Sequence, residues 1–208
     1  MKKANTAGST ELNLASKKRL LNVGGNSKII SVARFFDGWQ HDLLDIDPEV
    51  KPDILCDARQ LYKLTPRQYD AVYCSHNLEH YQRHELPQVL SGFRTILKKD
   101  GFVFAKVPDI MEVMKVVVEN KLDIDDVLYT SSAGPILVRD VIYGYHVEIE
   151  RSGNDFFAHK TGFSRQSIEK VFKENGFNTV YSACQMLEIR ILAFMEKPSV
   201  TPNFVEFD

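Results

Sequence analysis

The sequence is poor in cysteine: Cys56, Cys74 and Cys184 are far apart and form no C-x-x-C pair. An odd number with no framework spacing argues against a disulfide-stapled scaffold and for free thiols in a reducing compartment. Long apolar runs are lacking too. None approaches the roughly 18 residues that a membrane span requires. Behind Met1-Lys2-Lys3, the polar Asn5, Thr6, Ser9 and Glu11 stand where a signal peptide needs an apolar stretch. The expected location is the cytoplasm, with no membrane partner. No charge of one sign dominates either: 26 Lys and Arg face 28 Asp and Glu, for a net charge of -2. That balance gives no electrostatic footprint for DNA or RNA. Internal repeats and low-complexity tracts are absent from the sequence. What remains is a chain of 208 residues, 44% hydrophobic and 26% charged, with enough material for one sizeable core.

Residues 1 to about 16 are polar and without a clear period, and they read as a tail or a loosely docked helix. Arg19 to Val23 is a short apolar run ending at Gly24-Gly25, as a buried strand does before a tight turn. Ile29 to Phe36 predicts a short helix. Leu43 to Ile46 predicts a second strand, Ile54 to Cys56 a third and Asp70 to Cys74 a fourth. Leu86, Val89, Leu90, Phe93, Ile96 and Leu97 then draw one apolar stripe at helical spacing, closed by Lys98, Lys99 and Gly101. Phe102 to Val107 predicts a fifth strand. Ser164 can cap a later helix carrying Ile168, Val171 and Phe172 and ended by Gly176. Two last strands, near 177–183 and 188–195, have no helix between them and should form an antiparallel hairpin at one edge.

Strands alternating with helices imply an α/β fold with a parallel sheet, right-handed crossovers and helices on both faces. Residues 17–197 read as a single domain, with 1–16 and 198–208 as tails. The stretch 108–160 is too long for a plain connection. Its Gly134-Pro135, Tyr129, Tyr143, Tyr145, Phe156 and Phe157 suggest an elaboration over the mouth of the sheet, and hence the place for a small-molecule substrate. Trp39 is expected to pack on the sheet.

Ligands of open α/β sheets sit at the carboxyl ends of the strands. There the first strand offers Gly24-Gly25-Asn26-Ser27, where glycine permits close approach and positive φ and asparagine tolerates the left-handed region. Asp45, at the end of strand two, can accept hydrogen bonds from both hydroxyls of a ribose. Asp57 closes strand three, placed to meet the exocyclic amine of a base. His76, His146 and His159 are the candidates for taking a proton near neutral pH.

With these stretches the chain resembles the class I S-adenosylmethionine-dependent methyltransferases, particularly their small type 11-like branch. Leu21 to Asn26, Leu44 to Pro48, Cys56-Asp57-Ala58, Tyr69 to His80, Ile96 to Phe102 and Asn175-Gly176-Phe177 carry the likeness. It implies a Rossmann-like three-layer sandwich, a mostly parallel seven-stranded sheet with an antiparallel last strand. It also implies S-adenosylmethionine as cofactor, held by Gly24, Gly25, Asn26, Asp45, Asp57, Ala58 and Ser75. His76 and His159 become the catalytic candidates for methyl transfer to a small-molecule or carbohydrate-like acceptor by in-line displacement. Tyr73 and the tyrosines of 108–160 would offer faces to the sulfonium.

The likeness has gaps. Asn22 stands where the family places an acid, and Asn26 and Lys28 where it places glycines. A non-catalytic S-adenosylmethionine-binding module with a degenerate glycine loop is the alternative these residues motivate. A lesser one is a zinc hydrolase, because His76-Asn77-Leu78-Glu79-His80 satisfies H-x-x-E-H. That motif starts at a strand end rather than within a helix, so no metal ligand is expected there. Glu79 and His80 are expected to form a structural hydrogen-bonding pair. A nicotinamide oxidoreductase lacks its G-x-G-x-x-G spacing.

Overall fold

The structure is a computed structural model that describes residues 17–132 and 134–207; the first sixteen residues, read above as a tail, lie outside the described residues. Four parallel strands come first: β1 (Arg19–Val23), β2 (Gln40–Asp45), β3 (Ile54–Leu55) and β4 (Tyr69–Ser75). Helix α1 (Leu86–Ile96) leads into β5 (Leu97–Pro108), which is parallel to β4. Helix α5 (Arg165–Glu174) precedes the hairpin β8 (Thr179–Gln185) and β9 (Glu188–Phe194). The strand order is β3-β2-β1-β4-β5-β9-β8, with β9 antiparallel to both of its neighbours. This is the expected seven-stranded, Rossmann-like sheet with its closing antiparallel pair.

One face of the sheet is covered by helices. Leu86, Val89, Leu90, Phe93 and Ile96 of α1 are buried against Leu21, Val72, Val103 and the apolar side of α5. A stripe that removes five large side chains from water contributes on the order of 10 kcal/mol of gross hydrophobic stabilisation. Ser164 caps α5 by accepting from Ser167 N at 3.2 Å, and Gly176 follows the helix end at φ +87°.

The opposite face departs from expectation. No helix spans Ile29–Phe36; the described chain makes only a 3-10 turn at Arg34–Phe36. Ile29 is 95% exposed, so the segment has no apolar stripe to hold against the sheet. Aromatic side chains cover that face instead. Phe36, Tyr73, Phe104 and Phe207 are buried there, with Phe35, Trp39, Phe102 and Phe204 packed around them. Phe207 belongs to a 3-10 turn, Phe204–Phe207, in the segment read as a tail; its ring lies 4.9 Å from that of Phe104. Trp39 packs on the sheet as expected, 6.5 Å from Phe102.

The stretch after β5 forms α2 (Ile110–Asn120), the hairpin β6 (Val127–Ser131) and β7 (Gly134–Leu137), α3 (Val138–Tyr143) and α4 (His146–Ser152). Asp109 caps α2, accepting from Met111 N and Glu112 N. Buried Asp140 ties the insertion together. It accepts from Leu137 N at 2.8 Å and His146 N at 3.2 Å, and it pairs with the His146 ring. His146 thus has a structural partner inside the insertion. Among the described residues no helix is long and apolar enough to cross a membrane.

Candidate active site

The carboxyl ends of the first three strands are joined by backbone and carboxylate hydrogen bonds. Gly24 N donates to Leu44 O at 2.8 Å, and Cys56 N donates to Asp45 O at 3.0 Å. The Asp45 carboxylate accepts from Asn26 N at 3.1 Å and from Asp47 N at 3.0 Å. Each of its oxygens keeps lone-pair capacity for a further donor. Gly24 and Asn26 both have positive φ, +68° and +58°, as the residue types suggested.

The glycine turn is shaped by two asparagines. A Cβ on Gly24 would stand 2.1 Å from Asn77 Nδ2, and one on Gly25 would stand 2.1 Å from Asn22 Nδ2. Asn22 is 3% exposed, and its Oδ1 has no hydrogen-bond partner among the described residues. A buried amide oxygen without a donor therefore lies beneath the turn, at the position where the family resemblance calls for an acid. It can accept from an ammonium group, so this end of the sheet fits the cofactor that the resemblance implies.

The other candidates fare differently. Asp57 caps the 3-10 turn Ala58–Lys63 and is paired with Arg59, whose Nε donates to it at 2.8 Å. That guanidinium and the turn's N–H outweigh burial and hold its carboxyl below the ordinary carboxylate range. The Ala58 side chain is buried in the core, which leaves its backbone for any ligand. Ser75 ends β4 opposite Lys106 of β5. Tyr73 is not a crevice aromatic: alternation along β4 sends it to the second face, between Phe36 and Phe104.

Beside the β4 end lies a cavity of about 1040 Å³, lined by His76, Lys106, Asp109, Tyr129, Tyr145, His159, Met186, Glu188 and Arg190 among others. Tyr129 and Tyr145 of the insertion border it, while Tyr143 is 63% exposed. Such a volume lies at the upper end for small-molecule pockets, about 300–1,000 Å³. Asn77 touches the glycine turn and its neighbour His76 lines the cavity, so the β4 turn forms the wall between the two.

Glu188 is the electrostatic centre of the cavity. His76 Nε2 lies 3.0 Å from its Oε2, Arg190 Nε donates to its Oε1 at 3.0 Å, and Lys106 Nζ lies 3.5 Å from Oε1. Burial opposes ionisation of Glu188, but His76, Lys106 and Arg190 prevail and hold its pKa down to about 2. Burial likewise opposes the charge on His76, and its hydrogen bond to Glu188 with the nearby charge of Glu79 overcomes it, pushing the imidazole up to about 9. These carboxylates favour the protonated form of His76, which suits it to hold an anion more than to take a proton. His159 is the opposite case. Burial lowers its pKa and keeps it neutral, and its Nδ1 lies 2.9 Å from Val141 O. A proton on Nδ1 satisfies that carbonyl and leaves the lone pair on Nε2.

The H-x-x-E-H motif does not form a zinc-hydrolase site. His76 has φ +48° and points to Glu188, and only Leu78–His80 is helical, as a single 3-10 turn. The two histidines therefore do not share a regular helical face. Nor are Glu79 and His80 hydrogen-bonded to each other. Among the described residues the Glu79 carboxylate has no hydrogen-bond partner, and His80 Nδ1 meets Ala158 O at 3.1 Å.

Glu188, Arg190, Lys106 and Asn77 went unnoticed in the sequence. One signal was available. Glu188 and Arg190 are charged residues at i and i+2 opening an apolar strand, which places both on one face.

Comparison with known proteins agrees with this architecture. A SAM dependent methyltransferase from Archaeoglobus fulgidus is 13% identical, with 86% of each chain covered and a TM-score of 0.51. The PH0226 protein from Pyrococcus horikoshii OT3 is 14% identical over 88% of this chain and 84% of that one, with a TM-score of 0.55. At such identities the likeness is one of fold. No curated protein matches the sequence. Residues 6–182 match the family described as a methyltransferase domain. The chain belongs to this methyltransferase family.

Proposed function

We propose that the protein transfers a methyl group from S-adenosylmethionine to a small anionic acceptor bound in the cavity beneath the insertion. The observation that carries this is the shared wall: Asn77 lies against the glycine turn while adjacent His76 lines the cavity. Asn22, Gly24, Gly25, Asn26 and Asp45 would hold the cofactor, with Ser75 at the reacting end and Asp57 and Ala58 at the base. When bound, it supplies a methyl carbon on a positive sulfur, an electrophile already activated. The protein then has mainly to bring the two reactants together and exclude water.

The acceptor side provides charge and a base. Three cations, His76, Lys106 and Arg190, surround the single carboxylate of Glu188. Asp109, Glu112 and Asp140 also border the cavity, but the first caps α2, the second is paired with Lys115 and the third with His146. The cationic corner suits an anionic group of the acceptor. His159, neutral and with its Nε2 lone pair free of the Val141 carbonyl, is the group to accept a proton from the acceptor hydroxyl or amine.

Titration calorimetry with S-adenosylmethionine and S-adenosylhomocysteine, followed by a methyl-transfer screen over carboxylated hydroxyl and amine acceptors, tests this. Saturable binding of both ligands and a methylated product are expected. Failure to bind either ligand at millimolar concentration would refute the proposal. Binding without turnover on any acceptor would instead favour the cofactor-binding module.

A further inference from the structure

Glu79 is 1% exposed, and among the described residues neither carboxylate oxygen has a hydrogen-bond partner. Its nearest charged neighbour, His76 Nδ1, is 3.5 Å away, beyond good hydrogen-bond distance, and the other nitrogen of that ring is engaged by Glu188. A buried carboxylate whose one charged neighbour stands that far off is only partly compensated for its lost hydration. Two more side chains converge on it. One ring nitrogen each of His80 and His159 and one Glu79 oxygen lie within 4.8 Å of one another.

The imidazoles are oriented as metal ligands are. His80 Nδ1 meets Ala158 O at 3.1 Å and His159 Nδ1 meets Val141 O at 2.9 Å. Protons on both Nδ1 atoms satisfy the carbonyls and place both lone pairs on Nε2, the arrangement in which an outer carbonyl fixes the tautomer of a liganding histidine. Each imidazole can then offer a lone pair beside the Glu79 carboxylate, whose nearest charged donor is His76 Nδ1 at 3.5 Å. The two chain segments are also fastened at the backbone, since Lys160 N and Thr161 N donate to Glu79 O at 2.7 and 3.1 Å.

We propose that Glu79, His80 and His159 bind one divalent transition-metal ion of the zinc or manganese class. Two imidazoles and a carboxylate suit such ions, whereas calcium and magnesium take oxygen ligands. Ligands about 2.0–2.2 Å from a common ion lie at most about 4.4 Å apart, so the three close by only a few tenths of an ångström. Of the three, His159 also lines the large cavity, so the ion would lie against that part of its wall. Its binding takes the lone pair of His159 and replaces proton acceptance there by direct attraction of an acceptor oxygen. The site departs from the expectation of no metal ligand in the H-x-x-E-H segment. It uses the last two residues of that motif and a third from far along the chain. This last role rests on the methyl-transfer proposal; metal binding itself does not.

The test uses untagged full-length protein freed of metal by a chelator and titrated with Zn²⁺, Mn²⁺ and Mg²⁺, without cofactor or acceptor. One equivalent of Zn²⁺ or Mn²⁺ is expected, with Mg²⁺ at least about 10-fold weaker. H80A and H159A, checked for folding by circular dichroism, should each weaken binding about 100-fold, while H84A, at an exposed histidine, leaves it unchanged. E79Q should do the same as H80A if it folds. No saturable binding at millimolar ion, or binding indifferent to H80A and H159A, overturns the site and identifies the cluster as one resolved by protonation. Either result leaves the calorimetry with S-adenosylmethionine to stand or fall separately.

Discussion

His76 and Glu188, from the end of β4 and the start of β9, meet at 3.0 Å across the cavity wall. The pairing raises His76 to about 9 and lowers Glu188 to about 2. Their contribution to stability is one interaction seen from both sides. For histidine it is fully present below the ordinary value near 6.5 and is lost as pH rises toward 9. For glutamate it is present above about 4.5 and is lost as pH falls toward 2. The pair therefore stabilises most between about pH 4.5 and 6.5. His76 is half exposed, so water screens the pair and its contribution is about 1 kcal/mol. Urea denaturation of metal-free protein at pH 5.5 and pH 9 should show that loss in the wild type and not in E188Q. An imidazole titration by NMR should find His76 at least about one unit lower in E188Q. An unchanged titration midpoint would remove Glu188 as the cause.

Gly24 and Asn77 are coupled by contact. G24A introduces a Cβ 2.1 Å from Asn77 Nδ2 and leaves an alanine at φ +68°. Left-handed backbone costs about 1–2 kcal/mol for a residue with a Cβ, and the clash adds to it. G24A should therefore destabilise by about 2–3 kcal/mol. In the G24A/N77A double variant the clash is gone and the backbone term remains. The coupling energy from the four melting curves should be about 1 kcal/mol. Additivity within about 0.3 kcal/mol would mean that the asparagine does not seat on the turn.

How these features stood in the sequence differs by range. The strand ends at Gly24, Asp45, Asp57 and Ser75 were legible because an apolar run that stops at a turn residue is a local signal. The apolar stripe of α1 was legible for the same reason. The missing helix at Ile29–Phe36 was not, because what replaces it is non-local: Phe204 and Phe207, at the far end of the chain, join Phe36 over β4 and β5. Likewise, H-x-x-E-H drew attention to the right turn and the wrong set of residues. His76 left it for Glu188, and the segment that met His80 lies 78 residues away, at Ala158. Pairings of that separation leave no periodic trace.

The β8–β9 hairpin turns on Met186 and Leu187, at φ +49° and +47°. Two consecutive left-handed residues make the type of turn that favours Asn-Gly, and neither side chain here relieves the strain. Met186 is 88% exposed and lines the cavity, while Leu187 O accepts from Asp109 N at 2.8 Å at the entrance to α2. The double variant M186N/L187G should raise stability by about 1–2 kcal/mol. It should also weaken acceptor binding, since it removes two apolar side chains from the cavity lining. A melting temperature that falls would show that apolar contacts of the tip outweigh its backbone strain.

Asn22 offers the most direct test of the cofactor end. Its Oδ1 is buried and, among the described residues, unpaired beneath the glycine turn. N22D exchanges the amide for a carboxylate of nearly the same shape. In the ligand-free protein a charge is then buried where the described residues give that oxygen no hydrogen-bond donor, which should cost about 1–3 kcal/mol. The same charge faces the ammonium group of a bound S-adenosylmethionine, where a charge-assisted hydrogen bond is worth about 1 kcal/mol more than a neutral one. N22D should thus melt lower than the wild type without ligand and bind S-adenosylmethionine about 5- to 10-fold more tightly. Because it binds more tightly, the same concentration of ligand should raise its melting temperature by more than it raises that of the wild type. Lower stability with no gain in affinity would place the ammonium group away from Asn22, and with it the orientation of the cofactor at the end of β1.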